Sequence, residues 1–345
     1  LGVYLTPIVI KRVLTLRSLG GKLLAVDANN YLYQFLSLIR MRDGSPLRDS
    51  RGNITSHLVG LLHRTTRLIC DYKISLVFVF DGEPPEMKRR ELERRRKARE
   101  KALQEWRKAL EEGDVAAAFS KAVMTSRLTE PMVEDAKRLL ELLGIPYVQA
   151  PGEAEAQSAY MAMRGEVWAA SSKDYDCLLF GAPRLVRFLT ITGKEFLPSK
   201  GVTRPLKPEL IDLQRFLSHH GITREQLVDL AILVGTDFND GVKGIGPKTA
   251  LKLIRKHGSL ENLPADLRES LPKNYEEVRR IFLHPKVTSE YTLHYGELKE
   301  EALYEFLCGE RGFSKRRVKT VVEKMRRFYS WRRQRRLKEW LPETR

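Results

Sequence analysis

The chain has 345 residues, 42% of them hydrophobic and 30% charged, with a formal net charge of +17 at pH 7. That length allows about two domains or one elaborated domain, and no apolar run approaches the roughly 20 residues of a membrane-spanning helix. The excess charge sits in two blocks, +7 over residues 88–108 and +10 over residues 315–345. A neutral body with two basic arms indicates a polyanion held at two places, and argues against a general solubility device.

The N-terminal stretch Leu1–Arg17 has no small-residue cleavage site, so no signal peptide is expected. Without one, the acceptor pattern Asn53-Ile54-Thr55 is discounted as a glycosylation site. Cys70, Cys177 and Cys308 are widely spaced, which fits a reduced compartment and no zinc site. After an amphipathic lead-in, Leu23-Leu24-Ala25-Val26 is predicted as a buried strand running into Asp27. A helix with Tyr31, Leu32, Phe35 and Leu36 follows. Thr55 starts a second helix, and Leu76–Phe80 forms the next strand, ending at Asp81. Strand, helix, helix, strand is an α/β signature.

Gly82-Glu83-Pro84-Pro85 breaks the pattern. Lys88–Lys108 is helix-forming but has almost no apolar face before Leu103, and residues 115–127 form a second short helix. Residues 82–128 are therefore expected to stand away from the sheet as an insertion. Thr129-Glu130-Pro131 is a helix start with a capping residue, an early acid and an early proline. Strands follow at 145–148, 167–170 and 185–190. Thr223 with Gln226 is a capping box for a helix ended by Gly235.

The acids carry the chemistry. Asp27 and Asp81 end strands, Glu153 and Glu155 follow the strand at 145–148, and Asp174 and Asp176 follow the strand at 167–170. Asp237 comes just after Gly235. Ligands in parallel sheets collect at the carboxyl ends of strands. Seven converging carboxylates repel one another unless cations hold them. Oxygen-only donors point to Mg²⁺, and two such ions can activate water and support the leaving oxygen of a phosphodiester. In each i, i+2 pair of acids, one member is expected to ligate directly and the other through water. The absence of a nearby histidine disfavours Zn²⁺. Helix capping by individual acids is the alternative reading.

Gly241-Val242-Lys243-Gly244-Ile245-Gly246-Pro247-Lys248-Thr249 nearly matches a phosphate-binding P-loop, but Pro247 stands where that motif has lysine, and the preceding element is helical. ATP binding is rejected. A Gly-Ile-Gly turn aims N–H groups at the start of a helix toward a phosphate, with Lys243, Lys248 and Lys252 adding charge. This resembles the helix–hairpin–helix readers of the DNA backbone. At the C-terminus, Gln334-x-x-Leu337-x-x-Trp340-Leu341 resembles the peptide that docks on the DNA sliding clamp, with Leu341 departing from the usual pair of aromatics.

Together these stretches resemble the flap endonuclease family, the structure-specific 5′ nucleases of DNA replication and repair in their archaeal and eukaryotic form. The matching strings are Ala25–Ala28, Val79–Pro85, Ala150–Ala156, Lys173–Leu178 and Leu233–Phe238. The resemblance implies that all seven acids hold metal, two Mg²⁺ per site with Mn²⁺ able to substitute. It implies that Lys88 and Arg95 steer the scissile phosphate, that Tyr33 stacks on a base at the cut, and that residues 82–128 form the helical arch through which the flap passes. It further implies K⁺ at the hairpin, and DNA contacts at Gly2, Thr55, Arg64, Glu153, Lys243, Gly244, Gly246, Lys248, Lys252 and Arg311. Thr55, Arg64 and Arg311 are the residues of a pocket for a 3′ flap. The chain departs in starting Leu1-Gly2 where the family starts Met-Gly, and in its arginine-rich insertion.

The expected fold is α/β, a mostly parallel sheet flanked by helices of the 5′-nuclease, PIN-like type, with the arch inserted after the second strand and a helix–hairpin–helix (H2TH) element. The nuclease domain is placed at 1–328, divided into 1–81, the arch 82–128, 129–222, the hairpin region 223–260 and a helical part 261–328. A basic tail, 329–345, carries the clamp motif. The expected activity is 5′ flap cleavage with 5′-3′ exonuclease activity on double-flap DNA. Partners are DNA and the sliding clamp, with no membrane, inside the cell (with the nucleoid in a prokaryote, in the nucleus of a eukaryote). The rivals are a PIN-type ribonuclease and a non-catalytic, clamp-tethered DNA-binding protein.

Overall fold

The structure, a computed structural model, describes residues 2–189, 195–197, 202–204 and 206–340. In chain order the first elements are β1 (Arg12–Val13), β2 (Leu23–Asp27), α1 (Ala28–Leu38) and α2 (Ser56–Gly60). A π-turn over Leu61–Thr65 leads into α3 (Thr66–Tyr72), then β3 (Ser75–Phe80). The insertion holds α4 (Arg89–Glu111) and α5 (Val115–Met124). Next are α6 (Glu130–Leu142), β4 (Tyr147–Gln149), α7 (Ala154–Met163), β5 (Ala169–Ser171), α8 (Asp176–Leu179) and β6 (Arg184–Arg187). A two-stranded hairpin, β7 (Glu195–Leu197) and β8 (Val202–Arg204), precedes β9 (Glu209–Asp212). The helices α9 (Leu213–His220), α10 (Arg224–Val234), α11 (Pro247–His257), α12 (Ala265–Glu269), α13 (Tyr275–Leu283), α14 (Glu300–Tyr304) and α15 (Lys315–Trp340) complete the chain.

The main sheet has the order β1-β9-β6-β5-β2-β3-β4. β4, β3, β2, β5 and β6 run parallel, β9 pairs antiparallel to β6, and β1 pairs antiparallel to β9. β1 comes out of the stretch expected to be a lead-in, so the arch follows the third strand of the chain. Two residues of β1 carry too little pattern to be seen in the sequence. Along β2 and β3 the side chains alternate between two cores, as a period of two requires. Leu24, Val26, Leu76, Phe78 and Phe80 face α1, α3, α6 and α15, whereas Ala25, Val77 and Val79 lie beneath α7. A third core fills the space among α8, α9, α10, α11 and α13 and takes in Val3, Leu5 and Ile8.

The chain builds outward from β2 first to β3 and β4, then returns to place β5 on the other side of β2. That reversal is the topological switch point, where α/β sheets open a crevice at the strand ends. α4 and α5 pack closely because small residues meet there: Ala102, Ala109, Ala118 and Ala122 are all buried. The returning end of the arch is tied to the core. Arg40 donates to Ser126 Oγ at 2.8 Å, the Ser37 and Ser126 hydroxyls are 3.0 Å apart, and Trp106 Nε1 donates to the Asp43 carbonyl at 3.3 Å.

The capping box at Thr223 and Gln226 is present. Thr129 starts α6 differently, without a side-chain cap. Its carbonyl accepts from Met132 and Val133, and Pro131 has no N–H to satisfy in the first turn. The strand expected over 185–190 runs from Arg184 to Arg187, and Thr190 lies outside the described residues. α15 is continuous across residues 328 and 329, where the tail was expected to begin. Among the described residues no helix is long and apolar enough to cross a membrane.

His57, at the start of the α2 segment, is fully buried, and neither ring nitrogen has a hydrogen-bond partner. Burial holds its pKa down at about 4 against an ordinary 6.5, with Asp135 opposing and Arg311 adding to the shift. The unfolded chain therefore takes up this proton first as the pH falls. Stability should be lost between about pH 6.5 and 4 by about 3 kcal/mol, then level off. Chemical denaturation across this range should show that acid loss in the parent and not in His57→Gln. Equal losses in both would exclude His57 as its source.

Candidate active site: a carboxylate cleft at the switch point

Asp27 is the last residue of β2 and also the cap of α1, accepting from Asn30 N at 2.9 Å. Asp81 follows β3 and accepts from Ala154 N at 2.8 Å, which fixes the start of α7 against the end of β3. Glu153 stands at the N-cap position of α7 without a side-chain cap bond, and Glu155 lies in the first turn. Asp174 lies in the loop after β5, and Asp176 opens α8. Asp237 stands in the loop after α10.

The structure brings all seven into one electrostatic cluster. Burial, then Asp81 and Asp174, push Asp27 well above the usual carboxylate range. Burial, then Asp176, Asp27 and Asp174, do the same to Glu155. Asp176 is pushed up to about 7 by burial, then by Asp237 and Asp174. Glu153 is raised by burial against the opposing charge of Lys88. Asp237 is also buried, but Arg95 and Lys88 outweigh that and leave its carboxyl below the usual range. The pair Glu153 and Glu155 diverges. Glu153 turns to Lys88 and Asp237, whereas Glu155 accepts from Ser172 Oγ at 2.7 Å on the side of Asp27 and Asp176.

Two basic residues reach in from the base of the arch. Lys88 pairs with Glu153 and lies 3.9 Å from Asp237, and Arg95 donates to Asp237 at 2.7 Å. Seven residues make two helical turns, so the two residues share a face. Between the arch base and the loop at 236–241 lies a cleft of about 820 Å³, lined by Arg89, Glu91, Arg94, Asp237 and Lys273 among others.

The donor set suits hard divalent cations. It consists of oxygens alone, and burial followed by mutual repulsion raises the pKa values of Asp27, Glu155 and Asp176. The buried Asn29 Oδ1, beside Asp81, has no hydrogen-bond partner. Among the described residues no three acid, histidine or cysteine side chains are drawn in around a single ion-sized point. The carboxylates pair with Lys88, Arg95 and the side-chain amides of Asn29 and Asn30.

Gly2 lies against this cluster, and the Val3 N–H donates to Asp176 Oδ1 at 2.8 Å. A Cβ on Gly2 would fall 2.6 Å from Asp176 Oδ1. Gly2→Ala should therefore displace that carboxylate and lower single-turnover cleavage on the order of 100-fold. An unchanged rate would show that Asp176 tolerates the shift.

Tyr33 is 37% exposed and lies one turn beyond Asn29 and Asn30, on the α1 face that meets the acids. In the hairpin, Gly244 has φ +83°, a conformation that favours glycine, and a Cβ on Gly244 or Gly246 would meet nothing within 4 Å. The backbone there is open. Gly246 caps α11 with Pro247 in its first turn, and Lys243, Lys248 and Lys252 are exposed. Thr55 is buried at the start of α2, and Arg64 lies in the π-turn with its guanidinium 5.7 Å from the Phe35 ring. Arg311 pairs with both oxygens of Asp135, at 2.9 and 2.7 Å. Gln334 is exposed on α15, Leu337 and Trp340 continue that helix, and Leu341 lies outside the described residues.

Three contributors escaped the sequence reading. Asn29 donates to Asp81 at 2.8 Å and Asn30 to Asp174 at 3.0 Å. Glu91, buried on α4, accepts from Arg94 and Arg95. Its i, i+4 spacing to Arg95 was the available signal. The asparagines gave none, because polar residues at a helix start are ordinary.

Comparison with known proteins agrees with this geometry. The XPG N-terminal domain family matches residues 2–102 and the XPG I-region matches residues 144–237. Flap endonuclease 1 of Pyrococcus horikoshii is 50% identical over 341 residues, covering 99% of this chain and 98% of that protein. The solved flap endonuclease-1 from Methanococcus jannaschii superposes with a TM-score of 0.77 at 42% identity, over 96% of this chain and all of that one. The catalytic core of Rad2 in complex with DNA substrate shares the fold, with a TM-score of 0.70 at 24% identity over 94% of this chain and all of that one. With identity spread along its whole length and the same sheet beneath its acids, the chain belongs to the flap endonuclease 1 family.

Proposed function

We propose that this flap endonuclease hydrolyses the phosphodiester at the base of a 5′ flap in DNA, with 5′-3′ exonuclease activity, using two Mg²⁺ ions for which Mn²⁺ can substitute. The observation that carries this is the meeting of seven carboxylates at the switch point with Lys88 and Arg95 from the arch base. Asp27, Asp81, Glu153, Glu155, Asp174, Asp176 and Asp237 would hold the cations. When bound, those ions supply positive charge that activates water and supports the leaving oxygen. Lys88 and Arg95 neutralise charge developing on the phosphate, and Tyr33 stacks on a base at the cut. Gly2 and Glu153 also lie along the DNA path. The open backbone at Gly244 and Gly246, with Lys243, Lys248 and Lys252, grips duplex phosphates and holds K⁺. Thr55, Arg64 and Arg311 receive a 3′ flap. The tail, through Gln334, Leu337, Trp340 and Leu341, docks on a sliding clamp, and the protein acts inside the cell where the chromosome is copied. The DNA in the Rad2 complex supports the choice of substrate.

Single-turnover cleavage of a labelled double-flap DNA tests this, beside single-stranded DNA, blunt duplex and an RNA version, with Mg²⁺ and with chelator. A metal-dependent cut at the flap junction, far faster than on the controls, is expected. Preference for RNA would favour the PIN-type ribonuclease, and tight binding without cutting would favour the non-catalytic reading. Lys88→Ala should lower the single-turnover rate by about 100- to 1,000-fold with little change in DNA affinity. An equal loss of affinity would make Lys88 a binding residue.

A further inference from the structure

Arg187 is a buried charge to which the reaction as described gives no role. It ends β6 with only 9% of its surface exposed. Its Nε donates to the Lys173 carbonyl at 2.8 Å and its Nη1 to the Tyr175 hydroxyl at 2.5 Å. The guanidinium carbon lies 3.9 Å from the Tyr175 ring centroid and 4.5 Å from that of Phe188. Phe188 has φ +59°, a left-handed conformation that a bulky aromatic rarely adopts. That turn keeps the Phe188 ring on the guanidinium. Directly across the strand pair is Glu209, 3.5 Å from Arg187 and bonded to Lys11 at 2.6 Å. The Tyr175 hydroxyl also meets Thr6 Oγ1 at 3.1 Å.

The groups that Arg187 holds are telling. Lys173 immediately precedes Asp174, and Tyr175 lies between Asp174 and Asp176. One side chain therefore grips the loop on both sides of Asp174 and next to Asp176. A hydrophobic residue would fill the same space without burying a charge. Arginine is suited to the task because its planar fork can bond and stack at once.

We infer that Arg187 is a positioning residue for the cleavage reaction: by anchoring Lys173 and Tyr175 to the β6–β9 edge of the sheet, it fixes where Asp174 and Asp176 stand in the cleft. Lysine cannot reproduce the contact, since it has neither the second bonding arm nor the flat face. The inference rests on the nuclease reading above, because it assigns Arg187 to the geometry of that site.

The test is calorimetric titration of Mn²⁺ into the DNA-free full chain, with thermal melting and single-turnover cleavage at several Mn²⁺ concentrations. Arg187→Lys and Arg187→Met should bind Mn²⁺ about 10- to 100-fold more weakly, with rates that recover as Mn²⁺ is raised and DNA affinity unchanged. Tyr175→Phe, which keeps the ring and loses the hydroxyl, should show a smaller loss in the same direction. Arg184→Met is the control. Arg184 lies on the same strand, bonded to the Trp168 carbonyl at 3.1 Å and 5.4 Å from the Trp168 ring, away from the acid loop. It should lower the melting temperature without changing Mn²⁺ affinity. Arg187 variants that melt lower but keep parental Mn²⁺ affinity would overturn the inference, as would an equal affinity loss in Arg184→Met. If Arg187→Met fails to fold, Arg187→Lys and Tyr175→Phe decide. A parent chain that neither binds Mn²⁺ nor cuts would instead overturn the nuclease reading, and this inference with it.

Discussion

Asp176→Asn is expected to lower single-turnover cleavage of a double-flap DNA by about 1,000-fold or more, while DNA affinity stays within about threefold. The substitution keeps shape and removes charge. Asp176 is only 5% exposed, takes the Val3 N–H, and faces both Asp174 and Asp237. An amide there can still accept from Val3, so the local backbone should hold. What it cannot do is balance a divalent cation. DNA is gripped elsewhere on this reading, by the hairpin lysines and the basic helices. Cleavage and binding measured on one substrate separate the two roles. A comparable loss of both would refute that division.

The second large effect concerns the frame of the hairpin. Asp229 on α10 is 3% exposed; it accepts from Arg279 of α13 at 2.7 Å and from the Leu260 N–H at 3.3 Å. Arg279 also reaches Glu261 at 2.8 Å. This group ties α10, which precedes the Gly-Ile-Gly turn, to α13 and to the short turn that follows α11. Asp229→Ala leaves a guanidinium partly buried with one anion fewer, and should cost about 3 to 5 kcal/mol in chemical denaturation. Asp229→Leu combined with Arg279→Met should recover much of that loss, because no buried charge then lacks its partner. A single variant within about 1 kcal/mol of the parent would show that solvent already satisfies the arginine.

Much of this molecule is written locally in the chain. An apolar strand that ends in an aspartate is visible in five residues, as at Leu23–Asp27. The capping box at Thr223 and the glycine turn before Pro247 are equally short. The arch announces itself by a long run of charge without an apolar face, and the two basic blocks by counting. Composition and periodicity therefore determined the α/β class, the seven acids, the inserted helices and the hairpin, since each depends on residues within a few positions of one another.

Tertiary structure decided the rest, because it rests on partners far apart in sequence. The strand order places β5 beside β2, so Asn30 bonds an aspartate 144 residues away. The N-terminal segment reaches 173 residues along the chain to hold Asp176. Residues 285–299 have neither helix nor strand, yet they are pinned by Gln157 to Thr288 in both directions and by the Tyr295 hydroxyl to Leu76. No local period foretells such contacts. The grip of Arg187 on the loop bearing Asp174 and Asp176 is of the same kind. In the sequence it is an arginine at the end of a strand, and only the pairing of β6 with β5 and the turn at Phe188 give its guanidinium something to hold.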